Sequence, residues 1–390
     1  MFEKAIRFIK SLYPDETPVP LHAPRFLGNE KKYLADCIDT TYVSYVGQYV
    51  NRFEDSICRF TGARYAIAVS SGTAALHMAL VLSTVGPGDE VITQPLSFVA
   101  TANAIAYCGA QPVFVDVERS TLGLDPAKLE DFLAGSSVRK ADGKCYNKTT
   151  GGRIAACVPM HTLGHPARID QIVDICNRHQ IPVIEDAAEA IGSSYMGKHA
   201  GTFGVIGILS FNGNKPVTTG GGGMIVTDDE RQAARARHLT TTAKRPHPWE
   251  FVHDEVGYNY RMPNINAAVG CAQMEYYEEV LESKRETAGL YDPFFQEIGI
   301  PFIREPAQSK SNYWLNTVVL KDRMERDLFL DYAGENGIQA RPVWTLLSKL
   351  PMYRHCQSMP LETAQCLEDR LVNIPSSVRK NSVNKINQGA

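Results

Sequence analysis

The chain predicts an α/β fold: a mainly parallel, seven-stranded sheet covered by helices on both faces, followed by a smaller α+β unit. Two observations predict it. Between about residues 60 and 230, short apolar runs alternate with helical patterns, as crossover connections require. After about residue 270 that alternation stops and longer helices mix with isolated apolar runs. The chain has 390 residues, 44% hydrophobic and 21% charged, enough for two domains with substantial cores. The expected division is 1–265 for the large domain with its N-terminal segment and 266–390 for the smaller one.

The expected strands are Tyr65–Val69, Glu90–Thr93, Pro112–Val115, Ile154–Pro159, Pro182–Ile184, Gly207–Phe211 and Met224–Thr227. Each is a short run bounded by glycine, proline or polar residues. Helical patterns fall between several of them, at Thr73–Ser83, Ser97–Tyr107, Pro126–Leu133 and Asp170–His179. The uncharged run Val91–Val115 is long enough to suggest a membrane span, but Pro95, Asn103 and Pro112 favour strand–helix–strand. Further on, Ala267–Ala288, Arg326–Asn336 and Ala364–Asp369 read as helices and Trp314–Leu320 as an apolar run. The segment Lys244–Asn264, rich in Pro, His, Tyr and Asn, reads either as a loop crossing to a second subunit or as a plain linker.

Composition excludes several classes. A formal net charge of −3 gives no electrostatic case for nucleic acid or an anionic membrane. Nine cysteines without a C-x-x-C pair fit reduced thiols, and the first fifteen residues lack a signal-peptide core, so a cytoplasmic location is expected. No metal site is expected: His161 and His165 have helical ligand spacing, but Gly164 and Pro166 break a helix there.

In sheets of this kind ligands sit beyond the carboxyl ends of the strands, so the residues that follow each strand carry the chemistry. Lys215 lies in Ser210-Phe211-Asn212-Gly213-Asn214-Lys215-Pro216-Val217-Thr218-Thr219-Gly220-Gly221-Gly222-Gly223, between two strands. A lysine in such a glycine-rich loop suits a Schiff base with pyridoxal phosphate, although a glycine-rich hairpin with an exposed lysine gives the same pattern. Ser71-Gly72-Thr73 opens a helix after the first strand, where free N–H groups favour a phosphate; plain capping uses the same residues. Glu185 and Asp186 follow another strand and face opposite sides of it, so only one enters the cleft. Asp186 there would pair with a protonated pyridine nitrogen, although a magnesium-binding or structural acid at a strand end gives the same pattern. Phe98 offers a ring face or a core contact, Ser210 a second phosphate hydroxyl, and His161 a polar contact to substrate. The run Thr41–Glu54 either borders the substrate pocket or packs as an amphipathic helix.

Taken in order, Ser71-Gly72-Thr73-Ala74-Ala75, Phe98-Val99-Ala100-Thr101, Glu185-Asp186-Ala187-Ala188-Glu189, Ser210-Phe211 with Lys215, and Gly257-Tyr258-Asn259-Tyr260-Arg261-Met262 resemble the DegT-type nucleotide-sugar aminotransferases. The likeness spans about residues 20 to 377. It implies an aspartate-aminotransferase-like (fold type I) homodimer that shares its active sites and uses pyridoxal 5′-phosphate. It also implies roles: Lys215 as the Schiff-base lysine, Asp186 at the pyridine nitrogen, Glu189 near the ring hydroxyl and Phe98 stacking on the ring. Gly72, Thr73 and Ser210 would hold phosphate, with Asn259 reaching in from the second subunit. Arg261 would contact the substrate diphosphate. Arg341 is open between the glutamate carboxylate, the diphosphate and a surface acid.

Pro20-Leu21-His22, Asn212-Gly213-Asn214-Lys215 and Ala340-Arg341-Pro342-Val343-Trp344 look most like the subgroup serving legionaminic-acid or bacillosamine-type pathways. The implied substrates are L-glutamate and a UDP- or GDP-linked 4-keto-6-deoxysugar. Alternatives are amination at C3, a sugar dehydratase, or a pyridoxal-phosphate-binding regulator without turnover. Relatives that became dehydratases carry histidine in place of Lys215. A nicotinamide-dependent reductase would need G-x-G-x-x-G after the first strand, and Ser70-Ser71-Gly72-Thr73 does not supply it.

Overall fold

The computed structural model describes residues 1–380. The strands of its main sheet are β1 (Tyr65–Val69), β2 (Glu90–Thr93), β3 (Gln111–Phe114), β4 (Ile154–Val158), β5 (Ile184–Asp186), β6 (Ile206–Ser210) and β7 (Gly223–Thr227). They form two ladders. One runs β1-β7-β6-β5, with β7 antiparallel to both neighbours and β5 parallel to β6. The other, β3-β2-β4, is wholly parallel. Parallel bridges Cys157↔Val183 and Met160↔Asp186 join β4 to β5. The expected sheet is thus present as two bridged ladders, one wholly parallel and one of mixed direction. β7, which follows β6 through the lysine segment without an intervening helix, is the strand that runs against its neighbours.

Burial explains why these runs are strands. Residues 66–69 of β1 and all of β4, β6 and β7 are buried, because helices cover both faces. Helix α4 (Gly72–Leu82) is the central cover, with Leu76, Met78, Ala79 and Leu80 packed in the core with Ile67, Ile208 and Ile225. Each such leucine or methionine contributes about 2 kcal/mol by leaving water. On the other face α3 (Gln48–Thr61) buries Tyr49, Val50, Phe53 and Ile57 with Phe211 and Met224, and stops at Gly62, whose φ is +79°. The uncharged run 91–115 is β2, then α5 (Val99–Tyr107), then β3. Among the described residues no helix is long and apolar enough to cross a membrane.

The C-terminal part carries a small antiparallel sheet of β8 (Asn316–Val319), β9 (Arg341–Pro342) and β10 (Leu371–Ile374). Its core also takes Ala5, Ile6 and Ile9 from α1 (Phe2–Leu12), beside Tyr291, Phe295 and Phe329. The expected helix over Ala267–Ala288 is two, α9 (Asn264–Met274) and α10 (Tyr277–Glu297). Tyr276 breaks it at φ −131°, where its hydroxyl reaches Glu30 and the Arg25 carbonyl.

Candidate active site

A cavity of about 320 Å³ opens at the carboxyl ends of β1, β5 and β6. Lys215, Asp186, Glu189, Gly72, Thr73, Ser210 and Phe98 all line it, together with Trp314 and Trp344.

The anion cup is built by two strand ends. Ser71 caps α4 by accepting the Ala74 N–H at 3.0 Å, which turns the free end of the helix toward the cavity. A Cβ on Gly72 would lie 2.9 Å from the Ser210 Cβ, so only glycine lets the helix start approach β6 this closely. A Cβ on Gly223 would meet the Ser71 carbonyl at 2.4 Å, which ties the glycine quartet to the same close approach. Glycine is thus required in the quartet to bring strands together, and Gly220 adds a φ of +79°.

The acids divide by strand face. Asp186 accepts from the Thr101 hydroxyl at 2.8 Å and the Ala188 N–H at 3.2 Å. Burial raises its pKa, and these donors and the Lys215 charge only partly oppose that. Glu185, on the opposite face, accepts from Gly201, Phe203 and Gly204 N–H groups at 2.6–2.8 Å and meets His161 Nε2 at 3.0 Å. Burial would raise its pKa too, but His161 and these N–H groups hold it below the ordinary range. Lys215 Nζ lies 3.2 Å from Glu189 Oε1, and Glu189 Oε2 accepts the Leu163 N–H at 2.8 Å. Burial pushes the Glu189 carboxyl up to about 7 against the pull of Lys215.

Four expected site residues lie outside the cavity. His161 is fully buried: its Nδ1 accepts the Ala167 N–H at 3.1 Å, so Nε2 donates to Glu185 and the ring has nothing to offer a substrate. Arg261 is buried, its Nη2 paired with Glu54 at 2.9 Å, and it lines no part of the cavity in its own chain. Arg341 is exposed on β9, and Trp344 is the member of that motif that reaches the cavity. Asn259 is exposed beside Thr241 and lines no part of the cavity in its own chain. In the run Thr41–Glu54, Tyr49, Val50 and Phe53 are core, while Tyr42 and Val46 face outward.

Trp314 and Trp344 were missed because they lie far from the strand ends in sequence. The signals were the apolar run that begins at Trp314, which periodicity assigns to a core, and the Ala340–Trp344 motif, in which attention went to Arg341.

The residues present fit pyridoxal phosphate: a glycine-cleared anion cup, a buried lysine, and a buried carboxylate whose raised pKa calls for a cation beside it. The sequence profile of the DegT/DnrJ/EryC1/StrS aminotransferase family matches residues 26–386. The chain belongs to this family. It is a pyridoxal-phosphate-dependent sugar aminotransferase. It is 37% identical over 362 residues to a GDP-perosamine synthase of Caulobacter vibrioides, covering 92% of this chain and 93% of the relative. A GDP-perosamine synthase of Escherichia coli O157:H7 is 37% identical over 359 residues, with the same coverage. The aminotransferase TlmJ of Streptoalloteichus hindustanus has a TM-score of 0.82 and 27% identity, covering 91% of this chain and 92% of that one.

Proposed function

We propose that the enzyme moves the amino group of L-glutamate to C4 of a nucleotide-linked 4-keto-6-deoxyhexosamine, giving a 4-amino sugar for a surface glycan. The observation that carries this is the placement of Lys215 against Glu189 and near Asp186 inside one glycine-walled cavity. Bound there, pyridoxal phosphate supplies an electron sink for carbanion chemistry. Gly72, Thr73 and Ser210 would hold its phosphate, Asp186 its ring nitrogen and Lys215 its carbonyl carbon. Glu189 would sit toward the ring hydroxyl, and Phe98, half-exposed at the mouth, would cover a ring face. Freed as an amine, Lys215 Nζ would take the proton from the donor's α-carbon and deliver it to the cofactor carbon that had held the lysine, with Glu189 Oε1 steadying the charge it gains in between.

The two relatives whose name contains a GDP-linked amino sugar support a nucleotide-bound substrate and favour GDP. The likeness to the legionaminic and bacillosamine subgroup favours an N-acetylated one. We also propose a homodimer in which Asn259 completes the partner's site. Trp249, Phe251 and Val256 are 77%, 78% and 83% exposed in the segment that leads to Asn259, apolar surface that a second copy would cover.

The test is the visible spectrum of the purified protein with and without L-glutamate, followed by product analysis with GDP- and UDP-linked 4-keto sugars. A cofactor band that glutamate bleaches and a keto sugar restores supports the reading. A band indifferent to glutamate, or an amino group found at C3, overturns it.

A further inference from the structure

Lys215 has a second neighbour besides Glu189. Its Nζ stands 3.7 Å from the centroid of the Trp314 ring, close enough for the π face to attract an ammonium. The tryptophan is 5% exposed and the lysine side chain 10%, so little water competes for that charge.

Trp314 is held in place by two hydrogen bonds that it donates. Its Nε1 donates to the Asn214 carbonyl at 2.8 Å, which ties it to the residue before the lysine. Its backbone N–H donates to Asn312 Oδ1 at 2.8 Å. Asn312 Nδ2 donates to the carbonyls of Glu189 and Ile191, both at 2.8 Å, so one buried amide couples the aromatic wall to the acidic one. A turn at 162–164 serves both walls. Leu163, at φ +57°, gives its N–H to Glu189 Oε2. Gly164, at φ +92°, leaves room for Asn312, whose Oδ1 would lie 1.9 Å from any Cβ there. A non-glycine residue in left-handed backbone is strained, and this one delivers its donor to a residue of the cavity.

We propose that Trp314 is a positioning residue for Lys215: its indole face holds the ε-ammonium whenever the free lysine carries its proton, with Glu189 as the carboxylate partner. The proposal rests on the Schiff-base reading of Lys215. It gives the C-terminal part of the chain a role at the reacting lysine, through a wall held by Asn312.

The test uses the apoenzyme. Competitive acetylation by acetic anhydride, read by peptide mass spectrometry, gives the rate at Lys215 relative to the other lysines. A stabilised ammonium is a slow nucleophile, so Trp314→Leu is expected to speed Lys215 acetylation about tenfold near neutral pH. Trp314→Phe keeps a ring face and is expected to stay within about threefold of wild type. Incorporating tetrafluorotryptophan in a Trp344→Phe background withdraws the π charge while keeping the shape, and is expected to speed Lys215 as well. All differences are expected to shrink as pH rises into the range where lysine amines are neutral. A fluorinated protein with the wild-type rate, or a Trp314→Leu difference that persists at high pH, would overturn the proposal, since each marks mere access. Borohydride reduction of the wild-type holoenzyme checks the parent reading separately: cofactor fixed elsewhere than Lys215 sinks that reading, whatever the acetylation rates show.

Discussion

Glu185 and Asp186 are adjacent on one strand, equally buried, and have opposite electrostatic fates. Glu185 faces a closed loop and receives three N–H donors and an imidazole N–H, which hold it ionised. Asp186 faces the cavity with a hydroxyl and one long N–H contact, and burial leaves its pKa raised. A buried carboxylate whose lone pairs are filled by the protein is structure. One left under-satisfied at a cavity wall is prepared for a cation that arrives from outside.

That difference can be broken by substitution. Lys215→Ala, which removes the group the cavity is built around, is expected to cost roughly 10⁴-fold or more in turnover; near-normal turnover would end the proposed mechanism. Asp186→Asn is expected to cost roughly a thousandfold in kcat, the scale of losing one preorganised electrostatic partner. Its urea midpoint should stay close to wild type, because Asn can still accept from Thr101. Glu185→Leu should do the reverse. Losing four hydrogen bonds and leaving their donors buried is expected to destabilise the fold by about 3 kcal/mol or more, with little change in turnover per folded molecule. Equal effects of the Asp186 and Glu185 substitutions on both readouts would erase the distinction.

Much of this site was legible because strand-end geometry is local. The period-2 rule requires one of two adjacent acids to point into the cleft, and glycines at 72 and 223 mark close approaches that side chains would block. The lysine loop declared itself by composition. What was not legible depends on pairing across long separations. Arg261 reads as a free phosphate ligand until Glu54, 207 residues earlier, is found against it. His161 reads as a substrate contact until Ala167 and Glu185 consume both nitrogens. Trp314 reads as core because a hydrophobic run does not reveal that its first residue faces a lysine. The antiparallel β7 was equally hidden, since apolar runs carry no direction.

The buried lysines divide in the same way. Lys215 has a carboxylate and an aromatic face beside it, whereas Lys284 is buried on α10 and donates, among the described residues, to the Trp314 and Ser376 carbonyls, at 3.2 and 2.7 Å. Burial without a counter-charge lowers its pKa to about 7. Between about pH 7 and the ordinary lysine range the unfolded chain therefore holds a proton that the native chain lacks. Stability contributed by this group must rise with pH across that window, and the cost of its buried charge is fully present below it. Lys284→Met removes the titration while roughly keeping the volume, at the expense of leaving two carbonyls without their donor. That expense is independent of pH, so the slope and not the offset is diagnostic. Urea unfolding of both chains at pH 7, 8 and 9 is expected to show the wild type gaining on the variant by up to about 1.4 kcal/mol per unit. Other titrating groups are common to both chains and cancel where they lie far from the substitution. Parallel curves would mean that Lys284 keeps its proton in the fold, and that carbonyl oxygens alone can serve a buried lysine as well as a carboxylate does.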